Sequence, residues 1–342
     1  WSRMSGAAVN ARFHPSSWLP QLPTESSVCQ RMLAEELSRI PSMMEKQYPT
    51  RAALEMKDPS VYTGAAGVAY MYWRLATTSS PFVSQKQEYL DKSEAYISAA
   101  LRMVKPSGKS LRTSTFLTGI AGVYAVAAAI AFTKRESARA VRLTKEVLDL
   151  APTCVTEGVP NEMLYGRCGY LSCLLFLSAH ADLDLKDCGE IITTTIQMIL
   201  NDGVKLADER FPLMWEWHEK KYFGAAHGVC GILTILLYFR KIVDGFGCEQ
   251  RLKGSIDAMI ASQFESGNLP SSMGNAQDKL VQWCHGAPGL LPLLVQAHKE
   301  FGEPHYEMAA KNAERVSIIA LPSSLLLALP PSPLLSSPLL SS

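Results

Sequence analysis

Apolar residues along this chain fall into two alternating patterns. In the first, a Gly-x-x-Gly opens an almost uninterrupted apolar run: GAAGVAYMYWRL from Gly64, GIAGVYAVAAAIAF from Gly119, GRCGYLSCLLFL from Gly166, GVCGILTILLYF from Gly228 and GAPGLLPLLVQAH from Gly286. The starts lie 55, 47, 62 and 58 residues apart. One such motif carries no signal; five, each opening a run of helical length, mark a repeat. In the second pattern, apolar residues recur at three- and four-residue steps, as on an amphipathic helix. It covers Cys29 to Glu45, Gln85 to Val104, Arg135 to Leu150, Lys186 to Asn201 and Gln250 to Phe264. Each repeat is therefore predicted as an outer amphipathic helix, a loop, and an inner helix that is apolar all round because it is covered on every side. Two concentric layers of helices accommodate that pattern.

The glycines are expected where inner helices begin and neighbouring backbones crowd, since only glycine permits a close approach. Thr63 and Thr118 stand just before two of the motifs and are expected as N-caps. If the inner helices start at one end, their positive dipole ends converge on a mouth that favours anions and thiolates. Arg210 to Gly228 breaks the pattern, being rich in Trp, Tyr and Phe, and is expected as a short strand pair or lid. Asn268 to Gln277 reads as a loop. From about Leu321 the chain is almost entirely Leu, Pro and Ser, and the prolines forbid a continuous helix. The expected division is an N-terminal extension over 1–25, a helical domain over 26–320 and a low-complexity tail over 321–342.

Composition changes this picture little. Hydrophobic residues make up 47% and charged residues 19%, with a net charge of +1, which argues for a folded core and against disorder or a nucleic-acid partner. No window reaches the roughly 18 uninterrupted apolar residues of a membrane span. The N-terminus lacks an apolar signal-peptide core, and Met4 is a candidate initiator. The eight cysteines are irregularly spaced and read as reduced thiols in a cytoplasmic setting.

Three points carry candidate chemistry: GAAHG with His227, WCHGAPG with Cys284 and His285, and YGRCGY with Arg167. Cys284 and His285 are zinc-ligand types placed at an inner helix start, or else a buried cysteine and a core histidine. His227 is either a general base or a capping or core residue. Arg167 either binds a carboxylate or phosphate or forms an inter-helix salt bridge. Cys168 and Cys230 precede the second glycine of their motifs and read as small core fillers.

Taken together, LYGRCGY, KKYFGAAHGVCGI and WCHGAPG, in this order on glycine-marked helices, resemble the eukaryotic LanC-like family, relatives of the bacterial lanthionine synthetase cyclases. The resemblance runs from about Arg12 to Val316. It implies an all-α fold, an α/α-toroid of seven helical hairpins. It also implies a zinc ion held by two cysteines and a histidine, which activates the thiol of glutathione for addition to dehydroalanine or dehydrobutyrine in proteins, forming a thioether. Carried over by position, Cys284 matches a metal ligand and His227 the acid/base histidine, and Arg12 of ARFHP matches a glutathione contact. Arg167 is taken as a second catalytic candidate. The family's later Cys-His-Gly motif has no match, because no cysteine follows Cys284 and no histidine follows His305. The toroid is therefore expected to be incomplete at the C-terminus, with marginal stability and a zinc site lacking ligands. That leaves two functional expectations. One is a glutathione transferase acting on dehydroamino-acid proteins; the other is a non-catalytic module binding glutathione or a protein kinase. The setting is cytoplasmic, peripheral at a membrane, or nuclear.

Overall fold

The computed structural model describes residues 42–43, 45–78, 85–104 and 114–320. Arg12, the expected N-terminal extension, most of the first amphipathic stretch and the Leu/Pro/Ser tail lie outside the described residues. The described residues form two compact units, and the boundary between them falls at Thr195/Ile196. Among the described residues there is no β-strand, only two isolated bridges.

The N-terminal unit begins with a 3-10 turn, Thr50–Leu54. It continues with α1 (Ala65–Thr77), α2 (Lys86–Met103), α3 (Ile120–Thr133), α4 (Ser137–Leu148), the single turn α5 (Ala151–Cys154) and α6 (Arg167–His180). A second 3-10 turn, Leu185–Cys188, leads into α7 (Gly189–Lys205), which carries the boundary. The C-terminal unit follows with α8 (Val229–Tyr238), α9 (Arg240–Gly245), α10 (Glu249–Ile260), α11 (Ala287–Phe301) and α12 (Pro304–Ala320). Glycine-capped apolar helices pack against amphipathic ones: α1 on α2, α3 on α4, and α11 on α12. The apolar helices also pack on one another, α3 against α6 and α8 against α11. The burial follows the sequence pattern. In α3 every residue from Ala121 to Ala131 except Tyr124 is buried, whereas α4 buries one stripe, Ala140, Leu143 and Val147. Each fully buried Ile, Val or Leu on such a face is worth about 1.5–3 kcal/mol.

All five predicted inner helices begin one residue after the first motif glycine, and that glycine is the N-cap. Thr63 and Thr118 are therefore not caps. The Thr63 hydroxyl donates to the Asp58 carboxylate at 2.5 Å, and the Thr118 hydroxyl donates to the Leu164 carbonyl. The cap is supplied by the preceding chain. Ala65 N–H donates to Asp58 O (2.9 Å), Arg167 N–H to Pro160 O (2.9 Å) and Val229 N–H to Tyr222 O (3.0 Å), each seven residues back. The orphan donors of a helix start are thus bonded to a loop that folds under the first turn.

This loop also explains the spacing of the two glycines. A Cβ added at Gly64, Gly67, Gly122, Gly166, Gly169, Gly228, Gly286 or Gly289 would lie 1.7–2.4 Å from the carbonyl oxygen six residues earlier. The expected crowding is real, but its main partner is the chain's own incoming loop rather than a neighbouring helix. Successive loops are stitched within each unit: Tyr62 N–H to Leu117 O (2.8 Å) and Phe116 N–H to Gly169 O (3.0 Å) in the first, Ala225 N–H to Trp283 O (3.2 Å) in the second.

Candidate functional site

The cap loops before α8 and α11 lie side by side in the C-terminal unit. Gly224 is the point of contact: a Cβ there would meet the Cys284 carbonyl oxygen at 1.9 Å and the His285 Cα at 2.9 Å. The Asn268 side chain, 1% exposed, fixes the second loop. Its carbonyl oxygen accepts from Ala287 N–H at 2.8 Å. Its amide donates to Asp278 at 2.7 Å and to Leu280 O at 3.1 Å. Gly286, the cap of α11, sits at φ 130, which a side-chain-bearing residue rarely adopts.

This backbone arrangement gathers His227, Tyr222, Cys284 and His285. The Tyr222 ring lies between the two imidazoles, 6.0 Å from His227 and 5.7 Å from His285, centroid to centroid. Lys220 holds its ammonium 5.1 Å from the Tyr222 centroid. Trp217 stacks face to face on His227, 4.1 Å away and 2° from parallel. The expected strand pair at Arg210 to Gly228 is a tight turn. Trp217 and Lys220 exchange backbone hydrogen bonds at 3.0 and 3.2 Å, and Tyr222 bridges to Ser272.

Burial favours the uncharged forms of the thiol and of one imidazole. Burial pushes the half-buried Cys284 thiol above its ordinary value, against the smaller pull of nearby backbone N–H groups, so it is a thiol at neutral pH. Its Sγ lies 3.4 Å from the Gln282 side-chain oxygen. Burial also lowers the His285 pKa, helped by His227 and Lys220, and the His285 Nδ1 is buried without a hydrogen-bond partner. The two cap loops thus bring two imidazoles near one tyrosine, with a thiol on the residue before His285, which are the elements of proton transfer to and from sulfur.

Arg167 has a different setting. It lies in the N-terminal unit and is 2% exposed. Its guanidinium donates to the backbone carbonyls of Cys154 (3.1 Å), Val159 (2.6 Å) and Thr156 (3.2 Å) and to Asn161 Oδ1 (2.8 Å). It cross-links the chain between α5 and α6 and turns no open face to an anion. Cys168 and Cys230 are fully buried, as expected of core fillers, and burial raises both thiols far above their usual range. The seven described cysteines are free. Trp217, Tyr222 and Lys220 were not picked out as site residues; their signal was the aromatic departure from the repeat in the segment before Gly228.

A family model described as lanthionine synthetase C-like protein matches residues 55–319. The chain belongs to the lanthionine synthetase C-like family. One relative in that group is glutathione S-transferase LANCL1 of Danio rerio, 33% identical over 258 residues that cover 73% of this chain and 61% of the relative. The chain thus spans about three fifths of that relative's length. Among solved structures, nisin cyclase superposes with a TM-score of 0.57 at 17% identity, covering 82% of this chain and 74% of that one. A possible member of the GH105 family from Salmonella enterica gives 0.51 at 14%, over 91% and 88%. At these identities the likeness concerns the fold, and the fold class is the all-α toroid of lanthionine synthetase C-like proteins.

Zinc is the group the resemblance implies, and it needs at least three protein ligands. Among the described residues no three His, Cys, Asp or Glu side chains come together so as to hold a metal ion. Cys284, His227 and His285 are neighbours, but they do not fit as a ligand set. No described helix is long and apolar enough to cross a membrane.

Proposed function

We propose that this chain binds glutathione and adds its thiol to dehydroalanine or dehydrobutyrine residues of proteins, at the face formed by Cys284, His285, Tyr222 and His227. In that reaction the glutathione thiol loses its proton to a base and the sulfur bonds to the β-carbon of the alkene. The π pair moves to the α-carbon, which takes up a proton, and the product is a thioether. His227 is assigned the proton transfer, Cys284 the contact at sulfur and Arg12 the glutathione contact. Arg167 enters this reading only as the clamp of its own loop. No step is routed through zinc, because the described donors do not fit it.

The observation that carries this reading is the joining of two cap loops at Gly224, which brings the backbone of Cys284 and His285 against the loop of His227 and sets two imidazoles near one tyrosine. The test is incubation with glutathione and a dehydroalanine peptide, followed by mass spectrometry. A gain of one glutathione per peptide, lost in His227→Gln, is expected; no gain over the enzyme-free control overturns the reading. Zinc content, measured on native protein and on Cys284→Ala, shows whether Cys284 is also a ligand.

A second reading, weighed because no three donors group among the described residues, is a non-catalytic module of the cytoplasm that binds glutathione or a protein kinase. Calorimetric glutathione binding without turnover supports that alternative. Failure of both binding and turnover removes the small-ligand version.

A further inference from the structure

We propose that Trp217 is a positioning residue for His227: its indole face fixes the plane of the imidazole beside Tyr222. The role in chemistry rests on the reading of His227 given above, but the contact itself does not.

The stack is close and nearly parallel, at 4.1 Å and 2°. Aromatic pairs in proteins usually sit farther apart and are more often offset or edge-on. Rotation about the last side-chain bond of histidine is broad and weakly determined. A flat surface laid against the ring is therefore an effective way to select one orientation, and Tyr222, tilted by 52°, supplies no such surface.

The backbone holding Trp217 is itself unusual. His218 and Glu219, at φ 49 and 59, form a two-residue turn in the left-handed region. Such turns ordinarily use Asn or Gly, because a Cβ is disfavoured there. Trp217 and Lys220 close the turn with two reciprocal backbone bonds. The next residues are anchored to the stretch before α11: Met273 N–H donates to Lys221 O at 2.9 Å, and Phe223 N–H donates to Ser271 O at 3.1 Å. His218 packs edge-on against the same indole, 4.1 Å away at 72°. Strain held at one turn and fixed by a second segment is the pattern of a preorganised site. Here its product is the orientation of a single indole.

Three measurements test this. In the native protein, proton NMR should show the His227 ring protons shifted upfield by the indole ring current, with His227→Gln identifying those signals by their loss. Ring protons at free-histidine positions overturn the proposal without any Trp217 variant. Second, modification by diethyl pyrocarbonate, read by peptide mass, should speed up at His227 in Trp217→Ala relative to His305 in the same molecule. The expected change is about two- to tenfold, the range set by the strength of an aromatic pair; Trp217→Phe, which keeps a flat ring, should stay near native. An unchanged rate at His227 in a folded Trp217→Ala overturns it. Third, in the glutathione-addition assay Trp217→Ala should lower kcat with little change in KM, with partial rescue in Trp217→Phe; a loss confined to KM counts against it. If the native protein adds no glutathione, the proposed activity fails while the first two measurements still decide the stack.

Discussion

The cap loops before α6 and before α11 both fold under a helix that starts from glycine, and they hold opposite kinds of side chain. At α6 the loop is filled by Arg167, which donates to carbonyl oxygens of Cys154, Thr156, Val159 and Asn161 in the same short stretch, and by the fully buried Cys168. At α11 the corresponding loop carries Cys284 and His285, both partly exposed, with a buried ring nitrogen that bonds nothing. The first uses its polar groups to stabilise the fold; the second leaves a ring nitrogen unbonded. A motif shared by both cannot tell scaffold from site. The degree to which its side chains are satisfied can.

Four measurements would break or sharpen that contrast. Arg167→Ala should have the largest effect, a loss of about 3–5 kcal/mol in urea unfolding, because it opens a cavity and strands buried carbonyls. A small loss would mean that the α6 loop is not held as described. Gly224→Ala comes next, at about 2–3 kcal/mol, since the new methyl meets a backbone carbonyl that can move little. It should also perturb the His227 and His285 NMR signals, which Arg167→Ala should leave alone. Cysteine-to-serine exchange then separates the loops: about 2 kcal/mol for Cys168→Ser, which buries a hydroxyl, against about 0.5 kcal/mol for Cys284→Ser. Equal costs would erase the contrast.

A pH-dependent effect, smaller than the cost of Cys168→Ser, lies at the other end of α6. Burial, with a smaller push from Arg74, lowers the His180 pKa from 6.5 to about 4. Below pH 6.5 the unfolded chain takes a proton that the folded chain refuses, so stability falls as the pH drops from 6.5 toward 4 and is unaffected by this group above 6.5. Discounting for its half-exposed ring, the loss is about 1 kcal/mol. It is read as a urea midpoint difference between pH 7 and pH 5 that shrinks in His180→Gln.

The helix starts were legible in the chain itself, because Gly-x-x-Gly before an apolar run is a local signal and each of the five helices begins one residue after its glycine. The choice of Gly64 and Gly119 over Thr63 and Thr118 as caps was not legible. It depends on a loop returning beneath the helix, whose residues carry no common side-chain signature. Cys284 and His227 stood out by type and position, whereas their approach through Gly224 is a contact between loops about 60 residues apart in sequence. Arg167 could be read from its place at a helix start either as a binder of carboxylate or phosphate or as half of an inter-helix salt bridge. The carbonyls that engage it belong to residues 154–161, and any residue type can offer a carbonyl. Trp217 was hidden for a related reason, since an indole written in sequence does not reveal which ring it covers.

The loops that fold beneath the helix starts have a consequence for how such a protein diversifies. Peptide groups do most of the joining, so most side chains between and just before the glycines carry little of it; Arg167, which clamps its own loop, is the exception. Each repeat then resembles a standard socket, in which a thiol or an imidazole can be exchanged without redesigning the mount, whereas the Arg167 guanidinium has become part of it.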